Sequence, residues 1–338
     1  MKRKTNRCLI IAEVGQAHDG SLGIAHSFID AVSKSGADVI KFQTHIAEAE
    51  TTQHEPWRIK FSTQDGSRYD YWKRMEFSET QWVELKKHSN DVGLQFISSP
   101  FSLEAVELLK KVGVHAWKIA SGEVNNQEML DSIAETKQDV YLSTGMSTIE
   151  EIDRSVERIK KKGLPLTILQ CTSMYPTPPE KVGLNMLVFF RERYGCGVGL
   201  SDHSGKIFTG LAAATIGIDV LEVHVTFSKE MFGPDVSSSL TIDELKQLVE
   251  GTRYIEGVVE SYVDKDSIAE ELKPVRNIFT KSIVYRRDLE KGTIIKRDDI
   301  SFKKPGTGVD PTHLEKVIGK QLKRSVKGDD QLSMSDLI

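Results

Sequence analysis

The chain has 338 residues, 39% of them apolar and 28% charged, with a net charge of −4. That length holds one barrel of about 250 residues plus a small extra domain. The mildly acidic balance argues against nucleic acid or an acidic membrane as the main partner. Three cysteines, Cys8, Cys171 and Cys196, lack close-pair spacing, which argues against a disulfide framework or a zinc knuckle and fits a reducing cytosol. The basic start MKRKTNR leads into an apolar run, Cys8 to Ala12, that Glu13 cuts short, so no signal-peptide core forms. No stretch is long and apolar enough to span a membrane, and the expected location is cytoplasmic.

In chain order, strands are expected at Cys8–Val14, Asp38–Phe42, Leu94–Ser98, Ala116–Ala120, Asp139–Leu142, Leu166–Gln170, Gly197–Leu200 and Val220–Val225. Their near-continuous apolar character suits strands covered on both faces. Helical patterns fall between them at Ile24–Lys34, Glu79–Asp91, Leu103–Val112, Gln127–Glu135, Ile149–Lys161 and Leu240–Tyr262, the fifth after the start signature Ser147-Thr148-Ile149-Glu150. Such alternation predicts a parallel (β/α)8 barrel, a TIM barrel, over residues 1–271. The long insertion Ala47–Phe77, with Trp57, Tyr69, Tyr71 and Trp72, reads as a lid or an interface. A linker is expected over 272–280. A small, mostly β domain follows over 281–338, with short β segments at Ser282–Tyr285 and Ile294–Ile295 and a turn at Pro305-Gly306-Thr307-Gly308.

Nearly every strand ends in polar groups: Glu13; Lys41 and Gln43; Ser98 and Ser99; Lys118 with Ser121 and Glu123; Ser143; Cys171 to Tyr175; Ser201 to His203; Glu222 and His224. A barrel brings such ends to one mouth. Each serine alone reads equally well as a helix cap, but a lysine near a barrel core needs an anion. Lys41, Lys118, Ser99, Ser121, Ser143 and Ser201 make a cationic, hydroxyl-rich pocket suited to a small phosphate and carboxylate ligand. His203 and His224 follow neighbouring strands and are placed to share a metal, with Glu123 and Asp235 as outer or water-mediated ligands. Nitrogen and oxygen donors without thiolate suit manganese, cobalt, zinc or magnesium. The glycine run Gly195 to Gly199 lacks the spacing of a dinucleotide fingerprint.

The ordered motifs are Ile11-Ala12-Glu13-Val14-Gly15 with His18-Asp19-Gly20, Lys41-Phe42-Gln43-Thr44, Ser98-Ser99-Pro100-Phe101 and Lys118-Ile119-Ala120-Ser121-Gly122-Glu123. Then come Leu142-Ser143-Thr144-Gly145-Met146, Cys171-Thr172-Ser173-Met174-Tyr175-Pro176, Gly199-Leu200-Ser201-Asp202-His203 and Phe232-Gly233-Pro234-Asp235. Over its whole length the chain resembles the sialic acid synthase family, the nonulosonic acid synthases that condense phosphoenolpyruvate with an N-acylated hexose. Its tail resembles that family's antifreeze-like (SAF) domain. The resemblance implies His203 and His224 as ligands of a divalent metal, manganese ahead of magnesium or cobalt. It implies Lys41, Ser99, Lys118, Ser121, Ser143, Ser173 and Ser201 as phosphoenolpyruvate contacts. Glu13, Gln43, Phe101, Tyr175, Asp235 and Lys304 would meet the sugar, and Glu123, Asp235 and Lys118 would serve catalysis. It also implies a domain-swapped homodimer whose tail covers the partner's barrel mouth. Three positions depart from the family's usual residues: Ser173 stands for asparagine, Val223 for a basic residue and Lys304 for arginine. Rival readings are a synthase for a non-acylated aldose, an aldolase using Lys118 as a Schiff base, and a silent carbohydrate-binding barrel.

Overall fold

The computed structural model describes residues 7–338, so the basic start up to Asn6 lies outside the described residues. The first unit of the chain runs to Glu260 and contains a closed barrel. Its strands are β1 (Leu9–Gly15), β2 (Val39–Thr44), β3 (Gln95–Pro100), β4 (Trp117–Ile119), β5 (Val140–Ser143), β6 (Leu166–Cys171), β7 (Gly197–Asp202) and β8 (Val220–Thr226). All pair in parallel with their sequence neighbours, and β1 closes on β8 with Glu13 opposite His224. Several strands run one or two residues further into polar sequence than the apolar runs suggest, because the backbone ladder continues there: Gln43 still pairs with Ser99 and Cys171 with Ser201.

Side chains on a strand alternate between faces, and here that period stacks the barrel interior in layers. The floor is apolar: Ile11, Val39, Ile97, Ala116, Tyr141, Leu169 and Val220. On β7 the corresponding position is Gly199, where a Cβ would meet Val220 O at 2.3 Å and Leu169 Cδ2 at 2.6 Å, so only glycine fits. Two residues further along each strand come Glu13, Lys41, Ser99, Lys118, Ser143, Cys171, Ser201 and Glu222. Two further still come Gln43 and His224, on β2 and β8, and Phe101, Ser173 and His203, just past the ends of β3, β6 and β7.

Outside the strands, helices α1 (Leu22–Ser35), α2 (Ala47–Glu50), α3 (Arg68–Met75), α4 (Glu79–Asp91), α5 (Leu103–Val112), α6 (Gln127–Ala134), α7 (Ile149–Lys161), α8 (Asn185–Tyr194), α9 (Ile207–Ile216) and α10 (Ile242–Glu260) complete this unit. α7 shows the local logic. A capping box between Thr148 and Glu151 opens it, and Ile152, Val156 and Ile159 bury one face. α8 and α9 were not expected, and neither has a side-chain cap at its first turn. Among the described residues no helix is long and apolar enough to cross a membrane, and all three cysteines are buried.

The second unit spans Ser261–Ile338. The short helix α11 (Lys265–Glu271) is followed directly by another, α12 (Lys273–Phe279), which takes up most of the expected linker over 272–280. Leu272 and Pro274 suit a restart, since proline is tolerated in a helix's first turn. A β hairpin of Ser282–Tyr285 and Ile300–Lys303 then packs over a core of Ile283, Tyr285, Ile295, Ile300, Val317 and Leu322. Ile294 makes only an isolated bridge, to Gln321.

Candidate active site

The mouth of the barrel holds a cavity of about 520 Å³. Its depth is set by the second interior layer. Lys41 and Lys118 are buried there, and the anions they need are in the chain itself. Lys41 Nζ lies 2.6 Å from Glu13 Oε2 and 3.9 Å from Glu222 Oε2, and Lys118 Nζ lies 3.5 Å from Glu222 Oε1. Ser201 Oγ donates to Glu222 Oε1 at 2.9 Å, and Lys41 donates to Ser99 Oγ at 3.2 Å. The expected cationic pocket is therefore a balanced set of two ammonium and two carboxylate groups. Burial would raise the Glu222 carboxyl, but Lys118 and Lys41, with the Ser201 hydroxyl, bring it down to about 2. Burial pushes the Lys118 ammonium below its ordinary range against the pull of Glu222. It also opposes the charge on Lys41, which Glu13 and Glu222 nonetheless hold above its usual value. Ser143 Oγ is buried with no hydrogen-bond partner, a donor left for something that enters the cavity.

Above the ionic layer stand the two imidazoles. The His203 and His224 ring centroids are 5.2 Å apart, and Tyr175 stacks on His203 at 4.2 Å. His203 Nδ1 lies 3.0 Å from Thr172 O, so the hydrogen bond that orients the ring uses Nδ1 rather than Nε2. Burial disfavours charge on both rings. It holds His224 neutral, at about 3, whereas the Cys171 sulfur 3.8 Å from His203 raises that ring to about 9. Asp235 Oδ2 is 3.9 Å from His224 Nδ1. Among the described residues no three His, Cys, Asp or Glu side chains form a ready-made metal cluster. The donor set fits a divalent ion that takes two nitrogens from the protein and fills its other positions with water or substrate oxygen.

Of the residues singled out from the sequence, Lys41, Gln43, Ser99, Phe101, Lys118, Ser121, Glu123, Ser143, Ser173, Tyr175, Ser201, His203, His224 and Asp235 all line this one cavity. Ser121 accepts from Gly145 N at 2.9 Å, and Glu123 accepts from Asn126 at 2.8 Å while burial pushes its carboxyl above the usual range. Glu13 differs from its expected place at the sugar. It is fully buried beneath the cavity and engages Lys41 and Gln43, the latter at 2.7 Å. Lys304 belongs to the second unit, where its ammonium stands 5.0 Å over the Phe279 ring.

Two groups were not anticipated. His45 is stacked between Trp72 at 4.1 Å and Phe101 at 4.5 Å, with Glu50 on its Nδ1 at 2.8 Å and Gln16 on its Nε2 at 2.9 Å. Arg58, from the long insertion, reaches Asp235 and stacks on Tyr175. The aromatic run around Arg58 was the one signal that the insertion folds onto something.

Residues 28–264 match the NeuB family and residues 280–338 the SAF domain. An N,N'-diacetyllegionaminic acid synthase of Campylobacter jejuni is 34% identical, with 96% of this chain and 98% of that protein covered. N-acetylneuraminate-9-phosphate synthase of Homo sapiens is 32% identical, with 98% and 92% covered. The crystal structure of N-acetylneuraminic acid synthetase from Leptospira borgpetersenii, in complex with citrate, is 29% identical and superposes with a TM-score of 0.70 over 80% of this chain and 92% of that one.

Proposed function

The chain belongs to the NeuB family, and from that premise we propose that it condenses phosphoenolpyruvate with an N-acylated hexose, giving a nonulosonic acid and phosphate. The observation that carries this is the division of one cavity into two ends. Two buried lysines and a set of hydroxyls lie at its depth, and two imidazoles with carboxylates lie above them.

At the deep end Lys41 and Lys118 hold the two anionic groups of phosphoenolpyruvate. Ser99, Ser121, Ser143 and Ser173 donate hydrogen bonds to its oxygens, and Ser201 joins them by turning its hydroxyl away from Glu222. While no substrate is present Glu222 faces both ammonium groups and Glu13 faces Lys41, and Glu13 accepts from Gln43 beside the sugar. The sugar lies between this end and Tyr175, Phe101 and Asp235, so the methylene carbon of phosphoenolpyruvate faces the aldehyde of the open-chain form. A divalent metal, manganese ahead of magnesium or cobalt, would be held by His203 and His224 and would supply Lewis acidity at the aldehyde oxygen. The methylene carbon bonds to the aldehyde carbon, water adds to the former enol carbon, and the tetrahedral centre releases phosphate. We assign the water's proton to Glu123 of the two carboxylates. Its partly buried carboxyl has a raised pKa, which suits a group that must both accept and return a proton.

The acceptor is the finer question, since the similar proteins are named for different products. Phosphate release from phosphoenolpyruvate across a panel of aldoses answers it. Turnover with N-acylated hexoses supports the proposal, turnover only with non-acylated aldoses moves the chain to the related reading, and silence with every aldose overturns synthase function.

A further inference from the structure

The long insertion between α2 and α3 is a folded piece rather than a loose loop. Trp57 and Phe61 meet edge to face at 5.7 Å and pack with Tyr69 against Tyr71, Trp72 and Met75. Arg68 fastens its near side, donating to Pro56 O at 3.0 Å and pairing with Glu55 at 3.2 Å. Asp65 joins the insertion to Arg74 at 2.7 Å, and Arg58 carries it to the loops after β6 and β8. Arg58 Nη2 lies 2.5 Å from Asp235 Oδ1 and donates to Pro234 O at 3.0 Å. The guanidinium carbon sits 4.3 Å over the Tyr175 ring, and Tyr175 in turn stacks on His203. Three loops that are far apart in sequence, the insertion, the one after β6 and the one after β8, therefore meet at one side chain.

The two oxygens of Asp235 are divided by this arrangement. Oδ1 is taken by Arg58, and Oδ2 is the one turned toward His224 Nδ1. Without Arg58 the carboxylate could rotate freely, and the outer face of Tyr175 would lose its cover. An exposed ion pair alone contributes little, but here the charge contact, a carbonyl and an aromatic face constrain one planar group together.

We propose that Arg58 is the positioning residue for the sugar half of the site: it clamps the insertion across the mouth and sets Asp235 and Tyr175 against the histidine pair. The proposal rests on the synthase reading for its kinetic consequence and on geometry alone for the clamp, so the two are tested separately. In steady-state kinetics Arg58→Ala raises KM for the aldose at least about tenfold and leaves KM for phosphoenolpyruvate within about twofold, because the deep lysine layer is untouched. Arg58→Lys recovers part of the loss through its charge. An unchanged aldose KM, or an equal rise in both constants, overturns the positioning role.

Hydrogen exchange of the backbone amides over residues 51–67 reads the clamp with no substrate at all. Exchange quickens in Arg58→Ala, quickens less in Asp235→Asn, which leaves the carbonyl and the aromatic face in place, and in the double variant goes no further than in Arg58→Ala. Unchanged exchange, or effects that add, overturns the clamp. If no aldose is turned over by the unaltered chain while exchange behaves as stated, the synthase reading fails and the clamp stands.

Discussion

Replacing Glu222 with glutamine should destabilise the ligand-free barrel and leave it repairable by a small anion. Glu222 is 3% exposed, lies 3.5 Å from Lys118 and 3.9 Å from Lys41, and accepts from Ser201 at 2.9 Å. The substitution keeps the side chain's shape and removes one of two negative charges that balance two positive ones. Removing one partner of a buried pair costs about 3–5 kcal/mol, because the remaining charge is left uncompensated in a poor solvent. The lower end is expected here, since burial already favours loss of the Lys118 proton and Glu13 still serves Lys41. For a barrel of this size about 3 kcal/mol corresponds to a fall in Tm of about 6–12 °C. Inorganic phosphate at a hundredfold its Kd returns about 2.7 kcal/mol. It should do so at lower concentration in the variant than in the parent, whose layer is already neutral. Thermal melts with and without phosphate make the measurement. An unchanged Tm, or phosphate stabilising parent and variant alike, would refute the charge balance described for this layer.

Three further outcomes are expected. Chelation should abolish turnover and manganese should restore it, whereas His203→Ala should stay inactive with added metal; full turnover in chelator would remove the two-histidine site. Burial, with the charges of His45 and Arg74, holds His18 at about 3 against an ordinary 6.5. The unfolded chain therefore takes up a proton that the native one refuses, so this contribution is present above about pH 6.5 and is lost as pH falls toward 3. It amounts to about 5 kcal/mol at its limit, and His18→Gln should flatten that acid limb in denaturant titrations across pH. Finally, if the tail serves the partner's mouth, a chain carrying His203→Ala and one carrying Gly306→Trp, each inactive alone, should regain turnover when subunits are exchanged. A dead mixture with exchange demonstrated would assign the tail to its own barrel.

The layered interior explains why so much of the site was legible in the sequence. Short apolar runs ending in polar residues mark strands, and a period of two then carries Lys41, Lys118, Ser143 and Glu222 to one height without knowledge of any contact. What that arithmetic lacks is pairing. It cannot say that Glu13 and Glu222, rather than a ligand, neutralise the lysines, because that depends on which side chains cross the barrel. Helices α8 and α9 were missed for a local reason, since Leu184 and Lys206 stand where a capping side chain would announce a start. Arg58 was illegible for the opposite reason: its partner Asp235 is 177 positions away, and nothing in an irregular segment predicts such a meeting.

The stacking of the barrel interior also bears on how such a chain can change over generations. On the proposed reading its floor carries stability, the ionic layer would handle the anion, and the choice of sugar would fall to the uppermost side chains and the insertion. A lineage could then trade one acceptor for another by editing Gln43, Phe101 or the stretch around Arg58, while the folding core and the shared half of the proposed reaction are inherited intact. Divergence is directed to the rim, where a failed experiment of evolution costs specificity before it costs the fold.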